Sequence, residues 1–254
     1  MLLLIHGHPF DRSLWRPQAE AAAAAGWRVI VPDLRGYGAT TVVPGKTTLD
    51  VFADDLARLL DGLEIHRAVV GGLSMGGQIA MEFARRYPQR LQGLLLAATF
   101  ARGDTEDTQR YRRDLAARLE RASAAGEDAV CMARLADELL PKMMAAGSIS
   151  ALPQVAAQVH EMMRRAPALG AAAALRGRAE RPAYDAVLGA VAVPALIVVG
   201  DEDAFTTRDD AEQMRTLLMN SRLLWLSQVG HLPNLEQPEA FNAALLAFLA
   251  SLPV

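Results

Sequence analysis

Short, nearly continuous apolar runs alternate along this chain with segments whose apolar residues recur every three or four positions. LLLI (Leu2–Ile5), WRVIVP (Trp27–Pro32), RAVV (Arg67–Val70), LQGLLLAA (Leu91–Ala98), VPALIVV (Val193–Val199) and RLLWL (Arg222–Leu226) read as six buried strands. Arg16 to Ala25 is a strong helix former stopped by Gly26. Leu49, Phe52, Leu56, Leu59, Leu60 and Leu63 make the inward face of a second helix, which Thr48 can cap. A third turns Ile79, Ala80, Phe83 and Ala84 inward and stops at Pro88. Further helices are predicted around Asp209–Leu218 and through Phe241, Leu245, Phe248 and Leu249, the last with Pro238 in its first turn.

Strand–helix alternation with apolar strands implies an α/β fold: a mostly parallel sheet flanked by helices on both faces. The alternation breaks between Asp104 and about Leu188, a stretch rich in Ala, Arg and Met with no strand signal. Residues 104–188 are therefore predicted as about four helices inserted after the fourth strand, a lid on a core made of 1–103 and 189–254. The methionines of that insertion (Met132, Met143, Met144, Met162 and Met163) suit either helix core or an adaptable apolar pocket. WRVIVP is expected at a sheet edge, which a second subunit in a homodimer would cover.

With 52% hydrophobic residues in 254, the chain can build a packed core. Its 26 basic and 29 acidic residues leave a formal charge of −3 with no basic run, which argues against a nucleic-acid or anionic-membrane partner. The single cysteine, Cys131, excludes an intrachain disulfide. That, a start (MLLLIHGHPF) too short and uncharged for a signal peptide, and the lack of a membrane-length apolar stretch give the expectation of a cytoplasmic protein.

In an open parallel sheet, ligands sit beyond the carboxyl ends of the strands. Just past those ends lie His6-Gly7-His8, then Ser74 within GGLSMGG, then Asp201 and Asp203, then His231. A serine hydroxyl becomes a useful nucleophile once an imidazole takes its proton, and the imidazole needs a carboxylate to fix its tautomer. Ser74 could instead be a helix cap in a glycine turn. Yet Gly72 and Gly76 complete G-x-S-x-G, a pattern in which small residues two before and two after let a sharp turn present the serine. The four glycines are expected to let the backbone turn tightly there. The amide of Met75, opening the next helix, can face a developing oxyanion. No His, Cys or carboxylate cluster has metal-ligand spacing, and no phosphate-loop pattern occurs, so no metal or cofactor is expected.

GGLSMGG, HGHPF, DLRGYG, GDEDAFTT and GHLPNLEQPEAF together resemble the α/β-hydrolase superfamily, in its small esterase, lactonase and haloperoxidase-like branch. The resemblance runs from His6 to about Phe248 and keeps the order serine, acid, histidine. It implies Ser74 as nucleophile, His231 as general base and acid, and Asp203, in G-x-x-D, as the acid in preference to Asp201. The second oxyanion amide would be that of His8, where an aromatic or aliphatic residue is more usual. His6 is read as bonding its loop, the His8 ring as pocket wall or proton shuttle, and His160 as a solvated helix position. The expected activity is hydrolysis of a carboxylic ester or lactone with a small or medium, largely uncharged acyl group, as an apolar lid would favour. Enol-lactone, carbon–carbon bond or perhydrolase chemistry on the same residues, or a small-molecule receptor, are the alternatives. A serine at position 74 argues against the branches that attack with aspartate.

Overall fold

The apolar runs pair into one six-stranded sheet in the computed structural model, which describes residues 1–252. The strands are β1 (Leu2–Ile5), β2 (Val29–Ile30), β3 (Ala68–Leu73), β4 (Leu91–Ala97), β5 (Ala195–Gly200) and β6 (Ser221–Leu226). Their order is β2-β1-β3-β4-β5-β6, and every pairing is parallel. The chain moves out from β1 to β2 and then returns to the other side of β1. That reversal opens a crevice at the carboxyl ends of β1 and β3, where such sheets bind ligands.

Helices α1 (Arg16–Ala24), α11 (Pro233–Glu236) and α12 (Pro238–Ala250) pack together against one side. A row made of α2 (Leu49–Gly62), α3 (Met75–Arg86), α9 (Asp185–Gly189) and α10 (Arg208–Leu217) covers the other. Both faces are thus dry, which is why β1, β3 and β5 are buried at every residue.

Three expectations change. The strand predicted over Trp27–Pro32 shrinks to two residues: it pairs with β1 alone among the described residues, and Pro32 has no N–H to extend it. β3 runs on through Gly71 and Gly72 to Leu73, because both glycines are paired in register with β1 and β4. A Cβ on Gly71 would meet Leu95 and Leu4 side chains at 2.9 and 3.0 Å, so a central strand needs its glycine there for space and not for a turn. Thr48 stands at the start of α2, but its side chain caps nothing. Its extended backbone simply delivers the chain into a helix held by its apolar face.

Between β4 and β5 the predicted insertion is wholly helical: α4 (Glu106–Ala124), α5 (Asp128–Met143), α6 (Ala146–Ala151), α7 (Pro153–Arg165) and α8 (Ala168–Arg178), with α9 returning to the sheet. α4 packs on α8 and α5 on α7. Met132, Met144, Met162 and Met163 are buried in this packing. Among the described residues no helix is long and apolar enough to cross a membrane.

Helix α8 is clamped to the core by two backbone approaches that only glycine permits. A Cβ on Gly170 would lie 1.8 Å from the Gly36 carbonyl oxygen, and one on Gly177 would lie 1.9 Å from that of Thr47. The Thr47 amide also donates to the Ala173 carbonyl at 3.0 Å. Gly170→Ala is expected to destabilise the protein by about 1–3 kcal/mol in urea unfolding, since backbone rather than a flexible side chain must yield. Gly62→Ala, with nothing within 4 Å, is the control and should be neutral or stabilising. Equal stabilities for the two variants would refute the clamp.

Candidate active site

Ser74 sits between β3 and α3 with φ 56° and ψ −115°, a region that a residue with a side chain enters only under strain. Its hydroxyl caps nothing, so the helix-cap reading fails. The backbone is pinned around it: the Ser74 amide donates to the Ala97 carbonyl at 2.9 Å, and Thr99 Oγ1 and the Gln78 amide donate to the Ser74 carbonyl at 2.8 and 3.1 Å. The neighbouring glycines do not supply the positive φ; the serine does. They supply room instead. A Cβ on Gly72 would lie 2.1 Å from the Gly76 carbonyl, and one on Gly76 would lie 2.1 Å from the Ile5 carbonyl oxygen.

That closeness brings the loop after β1 against the serine. A Cβ on Gly7 would be 3.0 Å from the Leu73 carbonyl oxygen and 3.4 Å from Ser74 Cβ. His6 holds this loop: its Nδ1–H donates to the Gly7 carbonyl at 2.8 Å and its Nε2 accepts from the Leu34 amide at 3.0 Å. Accepting at Nε2 requires a neutral ring, and burial, only partly opposed by the Gly7 bond and Asp33, lowers the His6 pKa. The amides of His8 and Met75 donate to no protein acceptor among the described residues. The His8 ring meets the Tyr37 hydroxyl through Nδ1 at 2.7 Å, while its buried Nε2 has no partner. Burial, with Arg178 and Arg112 nearby, pushes the His8 pKa well down.

Past β5, Asp203 is the carboxylate that reaches the histidine. His231 Nδ1–H donates to it, 2.9 Å from each oxygen, and the amides of Phe205 and Thr206 donate to Asp203 Oδ1 at 2.8 and 3.1 Å. Burial alone would raise the Asp203 pKa; the charge and hydrogen bond of His231 and those amides hold it below the ordinary value. The Phe205 ring packs on the imidazole with centroids 4.7 Å apart. Asp201 is exposed and faces elsewhere, accepting from Ser227 Oγ at 2.9 Å and the Gln228 amide at 2.6 Å. It shapes the turn leading to His231 without touching the ring.

Glu236 is a residue the sequence reading gave no role. Its buried carboxylate accepts from the amides of Gly230 and Leu232, on either side of His231, at 3.0–3.1 Å. It also accepts from Ala145 N–H, at the α5–α6 junction of the lid, at 3.0 Å. Beside it, the His231 amide donates to the Met143 carbonyl at 3.2 Å. Main-chain groups of the lid are therefore tied to the histidine loop, one directly and one through the Glu236 carboxylate.

Ser74, His231, His8 and Phe205 line one cavity of about 270 Å³, roofed by Leu115, Leu139, Met143 and Leu175 of the lid. Of the five lid methionines, Met143 is the one on this wall among the described residues. Ser74 Oγ donates to no protein acceptor, as is common before substrate arrives. The lid was expected to be an apolar roof, but Arg102, Arg112, Lys142 and Arg178 also line the cavity and no carboxylate does. Periodicity hides this: Arg112 and Arg178 look like solvated helix positions in sequence, yet both are buried. His160, by contrast, bonds Asp137 at 2.9 Å on the lid surface and stays away from the cavity. Among the described residues no group of three or more His, Cys, Asp or Glu could hold a metal ion.

The sequence pattern of the alpha/beta hydrolase fold matches residues 1–238. The chain belongs to the α/β-hydrolase family. It is 28% identical over 238 residues to 3-oxoadipate enol-lactonase 2 of Acinetobacter baylyi, covering 93% of this chain and 84% of that one. A thermophilic esterase from Thermogutta terrifontis, solved with malate bound, superposes with a TM-score of 0.92 at 39% identity over 98% of this chain and 89% of its own. The enol-lactonase from Burkholderia xenovorans superposes at 0.87 with 27% identity, covering 98% and 91%. Among α/β-hydrolases, then, this chain is similar to both esterases and enol-lactonases.

His6 and His8 give this α/β-hydrolase an expected pH signature. Both have folded pKa values below the ordinary imidazole value, so below about 6.5 the unfolded chain binds more protons than the folded one. Stability is then fully present above that pH and falls as pH drops, by up to about 1.4 kcal/mol per pH unit for each histidine. Urea unfolding at pH 7.5, 6.5 and 5.5 reads this directly. A flat profile would show that neither ring is held neutral.

Proposed function

We infer that the protein is a serine hydrolase of carboxylic esters or lactones that works through an acyl-enzyme. The observation that carries this reading is His231, held by Asp203 at 2.9 Å and lining one cavity with a serine on a strained elbow. His231 Nε2 takes the proton as Ser74 Oγ attacks the carbonyl carbon, and Asp203 holds the imidazolium by Nδ1–H. The negative oxygen is received by the free amides of His8 and Met75, each worth roughly a hundred- to a thousandfold in rate. The tetrahedral adduct collapses, and His231 passes its proton to the departing alkoxide. In a lactone that alcohol stays tethered to the acyl group. Water, deprotonated by His231, then attacks the acyl carbonyl, and the second collapse returns the proton to Ser74 and releases the acid.

The similarity to an esterase and to enol-lactonases supports hydrolysis at an acyl carbonyl. The test is labelling by a fluorophosphonate, read by intact mass. One adduct is expected on the wild type and none on Ser74→Ala or His231→Ala. A folded wild type that takes no label would remove the activated serine.

A further inference from the structure

The cavity contains a charge that the ester chemistry does not use. Arg178, the last residue of α8, is 6% exposed, yet no carboxylate lies within ion-pair distance of it among the described residues. Its Nε donates to a neutral partner, Gln78 Oε1, at 3.2 Å, and its terminal nitrogens donate to no protein acceptor. The other basic side chains on the wall differ. Arg102 is paired with Asp210 at 2.6 Å, and Arg112 with Asp104 at 2.5 Å. Asp104 is shared further with Arg181 at 2.9 Å, so this carboxylate is already opposed by two cations before Arg178 is counted. Lys142, exposed at the rim, has no ion pair among the described residues. Burial and the neighbouring Arg112 both push the Arg178 pKa well down, as happens to a cation whose partner is missing.

A buried, unpaired guanidinium is strongly disfavoured unless something supplies the opposite charge. Here the position says what. Gln78 lies one helical turn beyond Ser74, bonded to its carbonyl, so Arg178 is moored to the first turn of the nucleophile's own helix. The adjacent Gly177 is locked against Thr47, which leaves the side chain little freedom to swing out to water. The orphaned His8 Nε2 is on the same wall.

Resting on the serine-hydrolase reading, we propose that the substrate carries a carboxylate a short carbon chain away from the scissile carbonyl, and that Arg178 receives it. Half-esters of short dicarboxylic acids, or lactones with a carboxylate arm, meet that description. The planar guanidinium offers two parallel donors to such a group, and Lys142 adds long-range attraction at the mouth. Arg178 determines specificity in this scheme and takes no part in bond making.

The test compares monomethyl glutarate with methyl glutaramate, which replaces the carboxylate by an uncharged amide of the same shape. For wild type, kcat/KM should favour the acid by about tenfold or more at low salt, with the advantage shrinking as ions screen the charge. Arg178→Gln should erase that preference, mainly through KM, and Lys142→Gln should reduce it about two- to fivefold. A wild type that prefers the amide, or an Arg178→Gln variant that loses both activities equally, would overturn the proposal. Should Arg178→Gln not fold, protection of wild type decides. Glutarate should block fluorophosphonate labelling at a concentration at least about tenfold lower than glutaramide, and equal protection overturns the proposal. The two readings fail separately: labelling without acid preference leaves the hydrolase and removes the anion site. No labelling, with Tm raised by glutarate and not by glutaramide, does the reverse.

Discussion

Replacing Ser74 with alanine is expected to lower kcat/KM for a short ester by about 10⁶-fold while leaving the fold intact, because the nucleophile cannot be substituted by its neighbours. Replacing it with glycine should be equally inactive, yet the two variants should differ in stability. The hydroxyl makes no hydrogen bond to the protein, so neither change removes a contact. What differs is the backbone at φ 56° and ψ −115°, where alanine keeps the strain and glycine relieves it. Relief of about 1–3 kcal/mol, less the 0.5–1 kcal/mol of extra entropy that glycine carries in the unfolded chain, leaves a gain of about 1 kcal/mol for Ser74→Gly. Urea unfolding of the three proteins checks this. A Ser74→Gly variant less stable than wild type would mean the elbow is not strained.

Asp203→Asn is expected to cost about 10³–10⁴-fold in kcat with little change in KM. The amide keeps the shape, and the Phe205 and Thr206 amides can still donate to its oxygen. It cannot, however, stabilise the imidazolium, and its NH2 favours the tautomer with the proton on the wrong nitrogen. Asp201→Asn, two residues away, should change kcat less than about threefold, because that side chain serves Ser227 and the Gln228 amide and never meets the ring. Comparable losses from both variants would contradict the assignment of roles.

The parts of this site that depend on strand ends were legible in the chain. Ser74, Asp203 and His231 each follow an apolar run, and a parallel sheet brings such positions to one edge whatever lies between them. The apolar runs themselves were read correctly apart from two places: Trp27–Pro32 keeps only two strand residues, and Gly71 and Gly72 look like a turn locally and are a paired central strand. The cationic wall was not legible. Arg112 and Arg178 are dispersed in a helical insertion, and which way each helix turns depends on packing between α4 and α8 that no local pattern encodes. Glu236 fell between the two cases. It lies five residues after His231, but its value comes from reaching amides on both sides of that residue and one in the lid.

That carboxylate and its neighbour bear on how such a protein can diversify. The lid meets the histidine loop through the Met143 carbonyl and the Ala145 amide, groups that every residue except proline possesses. Side chains along α4 to α8 can therefore drift, swap charge or change size without disturbing how the base is held, so long as the α5–α6 turn keeps its path. On the serine-hydrolase reading, substrate preference and proton transfer are then inherited on separate terms, and what a grafted lid must keep for the sake of the base is that turn.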